Sequence, residues 1–519
     1  MSLIFSSPIV RSLRATGTRW PWPASGTGWP PASAPLRVLG ILGVAALVAS
    51  IYLASLNTRF DFIDDGNLVY PAPPMAWSER LALVWRKIVA NYNDLGPFRP
   101  VLWAHWETQA DMFAGREVAW RACRLAWAWL AAATFLWLLR ELGIRRWAAV
   151  ATVALAMWNP WRGEVWTSLT LAEGVAMPYA MLALVCALRA ARSDRPWVWD
   201  VVGALAVLAA LGCKNTFAVL VPAQMLLRIA PEGHGWAAGL RRHGRRAVLL
   251  ALTLLLPIVH YVCFRLNWHP GQYPPTGPSL GQLVDMLRTI KGALSLEWLA
   301  AGWLMAAMAV TVAGRWVNVW QDYRPAWLAG GVLALLGLAV YLPVRGAAGR
   351  YAMPAVWGVD LMVATLLSAA EEVPSIWWRR AGWGAVAAGL VVVAITNLAR
   401  QEKFAARAAL LWQIVETLEQ QAPPGSRIDW MAGPDLNAEE GVHVAWHLEG
   451  RGRVDLRLRV VSAEGAPLGR VELPAAATEA DFLVSVAPPS EADGWRLARE
   501  FTVPYWWGRR VFRCSLWER

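Results

Sequence analysis

LRVLGILGVAALVASIYLASLNTRFDFIDDGN, residues 36–67, is the stretch that decides how the chain is read. Its first part, 36–56, is an apolar run long enough for one bilayer crossing, which takes about 20 residues. Its last part, 61–67, places three carboxylates, Asp61, Asp64 and Asp65, directly behind that run. A carboxylate is costly in lipid, so at the mouth of a spanning helix it belongs in water or in a polar cavity. The fold predicted from here is a polytopic α-helical membrane protein with its polar chemistry at a membrane face.

The composition agrees. Of 519 residues 57% are hydrophobic and only 17% charged, and the mean hydropathy is +0.35; a soluble domain carries about a quarter charged residues. The net charge is +12, but the arginines are scattered between apolar runs. That pattern points to loop anchoring and contact with membrane lipids, and gives no reason to expect a nucleic-acid partner. Cys123, Cys186, Cys213 and Cys263 lie in or beside apolar runs and Cys514 stands alone, so neither a disulfide framework nor metal-ligand spacing is present. Many of the 35 Trp flank apolar runs, where amphipathic rings suit a bilayer interface.

Outward from the first run, residues 1–35 are rich in Pro, Ser, Gly and Trp, with Arg11, Arg14 and Arg19 and no acid; they read as a disordered tail. Further spans are expected at 118–139, 144–158, 174–189, 198–212, 216–229, 247–266, 296–313, 327–341, 351–368 and 383–398, about eleven in all. Arg-bearing loops at 140–146, 189–195, 228–246, 315–324 and 371–380 alternate with turns that hold only Arg162, Lys214 or the Arg345/Arg350 pair. The bias puts the N-terminus in the cytoplasm and residues 61–67 outside. Within the long first outer loop, 57–117, residues 76–89 read as an amphipathic helix lying at the interface. A further interfacial helix is expected at 280–290. Beyond residue 400 the hydropathy drops. A helix over 402–420 is followed by alternating runs at 442–448, 454–461, 468–473, 482–486 and 511–516. The expected organisation is a tail 1–35, a transmembrane domain 36–400 and a small extramembrane β-rich (α+β) domain 401–519, periplasmic under this topology.

Five stretches keep a fixed order: DFIDDGN; FRPVLWAHWETQAD; WNPWRGEVWTSLTLAEG; LGCKNTFAVLVP; and RYAMPAVWGVDLM. Over about 36–370 this order resembles the membrane cores of GT-C-type glycosyltransferases, most nearly the protein O-mannosyltransferase-like group that carries TPR repeats, although no such repeats are present here. The resemblance implies a GT-C-like fold and transfer of a sugar from a polyprenyl-phosphate carrier. It matches Asp64 and Asp65 to an acidic pair that orients or deprotonates the acceptor. It matches Arg99 with Pro100 to an Arg-Pro motif, and Pro160 and Glu164 to an outer turn in which Asn159 replaces a His. Lys214 falls at a Lys whose following Glu is here Asn215, and Arg350, Tyr351 and Pro354 fall at a late helix start.

The residue types suit that chemistry without the family. Transfer needs a base for the acceptor hydroxyl and cations where charge grows on the leaving phosphate. Asp64 or Asp65 would be the catalytic base, and Arg99, Lys214 and Arg350 would meet the phosphate, with Glu164 and Tyr351 completing the substrate site. As hard oxygen donors the Asp pair also suits Mg²⁺ or Mn²⁺; no cofactor is otherwise implied. Partners are a lipid-linked donor and a protein, lipid or glycan acceptor, at a bacterial inner membrane. His105, Glu107 and Asp111 read as a solvated face, and Glu164 and Glu173 as salt-bridge partners of Arg162. Asp-Asp-Gly is also an ordinary turn, and arginines at helix ends also anchor headgroups. Two other classes stand beside the enzyme: a non-catalytic scaffold of glycan assembly, and a secondary transporter, which would place ionisable groups near mid-membrane and show duplicated halves.

Overall fold

A computed structural model describes residues 34–60, 76–95, 98–229, 236–255, 258–259, 281, 284, 322–340, 353–371, 376–433, 436–462, 480–489, 494–506 and 508–519. The chain is mostly helical, and it ends in a small sheet.

The first apolar run forms α1 (Ala34–Ala49) and tightens into a 3₁₀ helix over Ser50–Asn57. The first outer loop holds α2 (Trp77–Leu95) and α3 (Pro100–Phe113). Next come α4 (Glu117–Glu141), α5 (Arg146–Trp158), the short α6 (Pro160–Thr167), α7 (Ala172–Arg192), α8 (Pro196–Cys213), α9 (Leu220–Ile229) and α10 (Trp236–Ala251). After an interval outside the described residues follow α11 (Arg324–Ala339), α12 (Met353–Ala370) and α13 (Ile376–Gln421).

Among the described residues, six helical stretches are long and apolar enough to cross a membrane: Val38–Asn57, Glu117–Glu141, Ala172–Arg192, Pro196–Cys213, Met353–Ala370 and Arg379–Gln421. Three of the other expected spans are shorter apolar helices, Arg146–Trp158, Asn215–Ile229 and Arg324–Ala339. Of 247–266 only the start is described, and 296–313 and most of 280–290 lie outside the described residues.

Loops assigned to one side by charge bias meet at one end of the bundle. Glu141 pairs with Arg189 at 2.6 Å and Arg192 at 3.3 Å; Glu371 accepts from the Ala148 amide and Ser368 from the Arg145 amide. At the opposite end, Arg121 of α4 donates to the carbonyls of Thr58, Arg59 and Thr167, and Arg124 to those of Leu169 and Leu171. These buried arginines satisfy carbonyls that the ends of neighbouring helices leave open. Small residues let helices approach, as they do in membranes: a Cβ at Gly330 of α11 would lie 2.5 Å from the Gly358 carbonyl oxygen of α12.

α13 departs from expectation. The segments expected at 383–398 and 402–420 are one helix of 46 residues, about 69 Å long at 1.5 Å per residue. That is more than twice the thickness of a hydrocarbon core, about 30 Å. A fall in hydropathy marked where its surroundings change, and no Pro or Gly breaks it there.

Its far end packs on the sheet. β1 (Arg427–Ala432), β2 (Arg457–Ser462), β3 (Phe482–Ser485), β4 (Arg496–Tyr505) and β5 (Arg510–Glu518) lie in the order β2-β1-β3-β5-β4. β1 is parallel to β2 and to β3, while β5 is antiparallel to β3 and to β4. The run expected as a strand at 442–448 is instead helix α14 (Ala438–Gly450), the crossover from β1 to β2. Its alternation VHVAWHL also fits the helical spacing of the buried Gly441, Val444, His447 and Leu448, and the capping box Asn437–Glu440 starts a helix there. β1 and β4 were not anticipated, and 468–473 lies outside the described residues. Leu410, Leu411, Ile414, Val415 and Leu418 of α13 share one core with Ile428, Trp430, Val460, Val484 and Leu516 of the sheet. Phe60, Ala110, Trp120 and Leu169, from the other end of the chain, belong to that same core.

Candidate functional site

The end of the bundle where Arg121 and Arg124 bind carbonyls also gathers several of the residues singled out from the sequence. Arg99 stands at the N-cap of α3, whose helix begins with Pro100. Pro fits the first helical position because it has no amide hydrogen to leave unpaired. The start of α3 rests on the C-terminal turn of α8: a Cβ at Gly212 would lie 2.5 Å from Val101 Cγ2, so only glycine permits this approach. Arg99 is thereby set beside Cys213, near enough for its charge to act on the thiol. Arg99 Nε is buried and has no hydrogen-bond partner.

Lys214 follows Cys213 where α8 ends. It is 6% exposed, and its ammonium is held by the Glu173 carboxylate at the start of α7. A buried charge requires such a partner. Glu173 thus has Lys214 as a partner, which the sequence reading did not anticipate. Arg162 pairs with Asp360, on α12, through two contacts of 2.5 and 3.1 Å. Both are fully buried, at 0% and 2% exposure.

Glu164, two residues further along α6, is half-buried, and its charge acts on Arg400 of α13. Arg400 donates to the Pro160 carbonyl at 2.9 Å and lies over the Trp161 ring at 3.9 Å. Asn159 caps α6 by accepting from the Trp161 amide, as an N-cap residue does. Pro354 is buried in the first turn of α12. Asp64, Asp65, Arg350 and Tyr351 lie outside the described residues.

Of His105, Glu107 and Asp111, which were expected as a solvated face, Asp111 is exposed, His105 is half-buried and Glu107 is buried. Glu107 is 4% exposed and pairs with Lys87; Asp111 pairs with Arg80. These two ion pairs fasten α2 onto α3, which leaves Trp77, Leu81 and Trp85 exposed along one stripe of α2. His105 lies against the Trp127 ring and within 2.9 Å of Gln109 Nε2. Burial, and then the Arg124 charge, push its pKa down to about 4, so it is neutral near pH 7. On the same face of α3 as Arg99, at the i+4 and i+7 positions, Trp103 and Trp106 each have a buried indole N–H without an acceptor. Buried donors of this kind are rare and call for an acceptor.

The sequence reading singled out neither Arg121, Arg124 nor Asp360, and took Arg162 only as a turn charge with Glu164 or Glu173 as its partner. The signal was available: each is an ionisable residue in or beside an apolar segment, where a charge must have a reason.

No family model matches the sequence, and a search of curated proteins finds no match. Among solved structures the chain is similar to ArnT from Cupriavidus metallidurans bound to undecaprenyl phosphate, at 14% identity and a TM-score of 0.47, over 93% of this chain and 98% of that one. It is also similar to the archaeal oligosaccharyltransferase AglB from Archaeoglobus fulgidus in complex with an inhibitory peptide and a dolichol-phosphate. There the identity is 11% and the TM-score 0.42, over 81% of this chain and 64% of that one. At these scores the likeness is one of outline.

Proposed function

We propose that the chain is a GT-C-type glycosyltransferase that moves a sugar from a polyprenyl-phosphate carrier to a hydroxyl-bearing protein, lipid or glycan acceptor. The observation that carries this reading is the row of buried donors on α3. Arg99 Nε, Trp103 Nε1 and Trp106 Nε1 are buried and lack acceptors, and the charge of Arg99 acts on Cys213, the residue before Lys214. An oxygen-rich anion supplies what those groups lack, and a guanidinium suits phosphate geometry.

In the reaction Asp64 or Asp65 takes the proton of the acceptor hydroxyl. The acceptor oxygen forms a bond to the anomeric carbon from the face opposite the leaving group, which inverts that carbon. The bond from that carbon to the phosphate oxygen breaks, and its electron pair stays on the phosphate. Arg99 meets the growing charge, with Lys214 and Arg350 as further cations. Glu164 and Tyr351 border the substrate. With the Arg-rich loops in the cytoplasm, this chemistry lies on the outer face of a bacterial inner membrane, and residues 401–519 are periplasmic. Should the reaction use Mg²⁺ or Mn²⁺, Asp64 and Asp65 are the hard oxygen donors we propose to hold it.

The test is transfer from radiolabelled lipid-linked sugars extracted from membranes, alongside binding of undecaprenyl phosphate to the purified chain. Asp64→Asn or Asp65→Asn is expected to lower transfer at least 100-fold with binding unchanged, and Arg99→Gln to weaken binding at least 10-fold. Full transfer by both Asp variants would overturn the reading in favour of a scaffold or a transporter.

A further inference from the structure

The hairpin of β4 and β5 runs along α13, back toward the membrane-spanning part of the chain. Arg499 of β4 donates to the Thr417 hydroxyl at 3.1 Å. Val503 pairs in register with Phe512 of β5, and the Arg407 guanidinium lies over the Phe512 ring at 5.2 Å. From Arg499 to Val503 the strand advances about 13 Å; from Thr417 back to Arg407 the helix covers about 15 Å. The agreement makes β4 antiparallel to α13 and nearly collinear with it. Three more residues of strand, about 10 Å, carry β4 to Trp506. Seven residues of helix, about 10 Å, carry α13 back to Arg400. The turn of the hairpin therefore comes level with Arg400. That is where the exposed apolar stripe of α13, Val391, Val392, Ile395 and Leu398, has just ended.

The turn carries an aromatic ring and two cations to that level. Trp506 is 41% exposed and has a φ of 56°, a left-handed conformation that a bulky residue seldom adopts. The Arg509 amide donates to the Trp506 carbonyl at 3.1 Å, which closes the turn, and the Arg510 guanidinium lies over the Trp506 ring at 4.5 Å. Tyr505 stacks on Phe512 with centroids 4.3 Å apart and joins the turn to the strands behind it. Arg509 and Arg510 are exposed, and among the described residues neither pairs with a carboxylate. A Trp ring suits the bilayer interface, and each arginine close to an anionic lipid surface gains about five-fold in partitioning. We propose that this turn is a lipid-binding site: Trp506 sits among the headgroups of the adjacent leaflet, and Arg509 and Arg510 bind the phosphates of anionic phospholipids. The extramembrane sheet is thereby fastened to the bilayer at a point apart from α13. The site takes no part in sugar transfer and stands or falls separately from that reading.

The test places the full chain in phosphatidylcholine nanodiscs that contain a trace of radiolabelled phosphatidylglycerol or, at equal mole fraction, radiolabelled phosphatidylcholine. Photoreactive p-benzoylphenylalanine stands at position 506 or, as a control, at position 497, which is exposed at the other end of β4, about 30 Å away along the strand. Illumination is expected to attach phosphatidylglycerol at 506 at least five-fold more than at 497, and at least five-fold more than phosphatidylcholine. Arg509→Gln together with Arg510→Gln should lower the labelling at 506 at least five-fold and leave thermal unfolding unchanged, since both side chains are exposed. In the unaltered chain, amide hydrogen exchange over residues 508–512 should slow at least three-fold when phosphatidylglycerol replaces phosphatidylcholine, with β1 unchanged. Equal labelling at 506 and 497 overturns the proposal, as does labelling indifferent to lipid charge or to the arginine pair. Attachment at 506 to a protein in place of lipid overturns it too, and so does exchange over 508–512 that ignores the lipid.

Discussion

At the scale of single residues, the chain keeps several charges in places where an unpaired charge would be prohibitive. Arg162 and Asp360 face each other with two contacts and almost no exposure. Removing one member of such a pair leaves a buried charge without compensation, which costs about 3–5 kcal/mol, whereas replacing both with apolar residues is often neutral. Arg162→Met is therefore expected to destabilise the protein by about 3–5 kcal/mol, and Asp360→Leu in the same chain to recover most of it; thermal unfolding in detergent measures both. The double variant also separates roles, since a folded protein that has lost transfer would show that the pair serves the reaction. Lys214 and Glu173 form a second buried pair. It differs in position, because its lysine follows Cys213 at the C-terminal end of α8.

At the scale of elements, the crossing of α13 with α5 and the 3₁₀ turn after α1 is fixed by a small polar network. Tyr52 donates to the Met157 carbonyl, and Asn397 donates to the Tyr52 hydroxyl at 3.2 Å and to the Trp158 carbonyl at 2.8 Å. Gln401 donates to Asn397 at 2.7 Å and to the Ile51 carbonyl at 3.2 Å. These carbonyls lie at a helix end and in a 3₁₀ turn, where regular pairing runs out. Gly163 makes room for the network: a Cβ there would lie 2.9 Å from Asn397 Nδ2. Gly163→Ala is expected to destabilise by about 1–3 kcal/mol through overpacking. In an Asn397→Ala background, where the obstructing amide is gone, the cost should shrink; a double-mutant cycle of unfolding midpoints reads the coupling.

At the scale of the whole molecule, the membrane helices and the C-terminal sheet are joined along one continuous helix and one shared core, so acid should act on both. Burial pushes the pKa of His443, packed 4.5 Å from the Trp446 ring, down to about 4, and His105 is pushed to about 4 by burial and Arg124. In the unfolded chain both titrate near 6.5. With the folded pKa lower, the stability they contribute is complete above about pH 6.5 and is lost as the pH falls towards 4. Melting temperatures should decline across that window, and His443→Leu should flatten the decline.

The sequence by itself marked the helices that are long and apolar enough to cross a membrane, and the stretch that carries the acids. Runs of about 20 apolar residues have few alternatives in a bilayer, and charge bias is read along the chain without reference to contacts. It placed Arg99 and Lys214 at helix ends, and that followed from the same pattern. Only the tertiary structure decided who pairs with whom: Glu173 with Lys214, Asp360 with Arg162, Glu107 with Lys87. Partners 41 or 198 residues apart leave no periodic trace. It also decided that 442–448 is a helix, because seven residues that alternate satisfy both periods until a cap and a crossover choose between them. The meeting of Phe60 with Trp412 was written in neither hydropathy nor spacing, since it exists only where the two ends of the chain pack into one core.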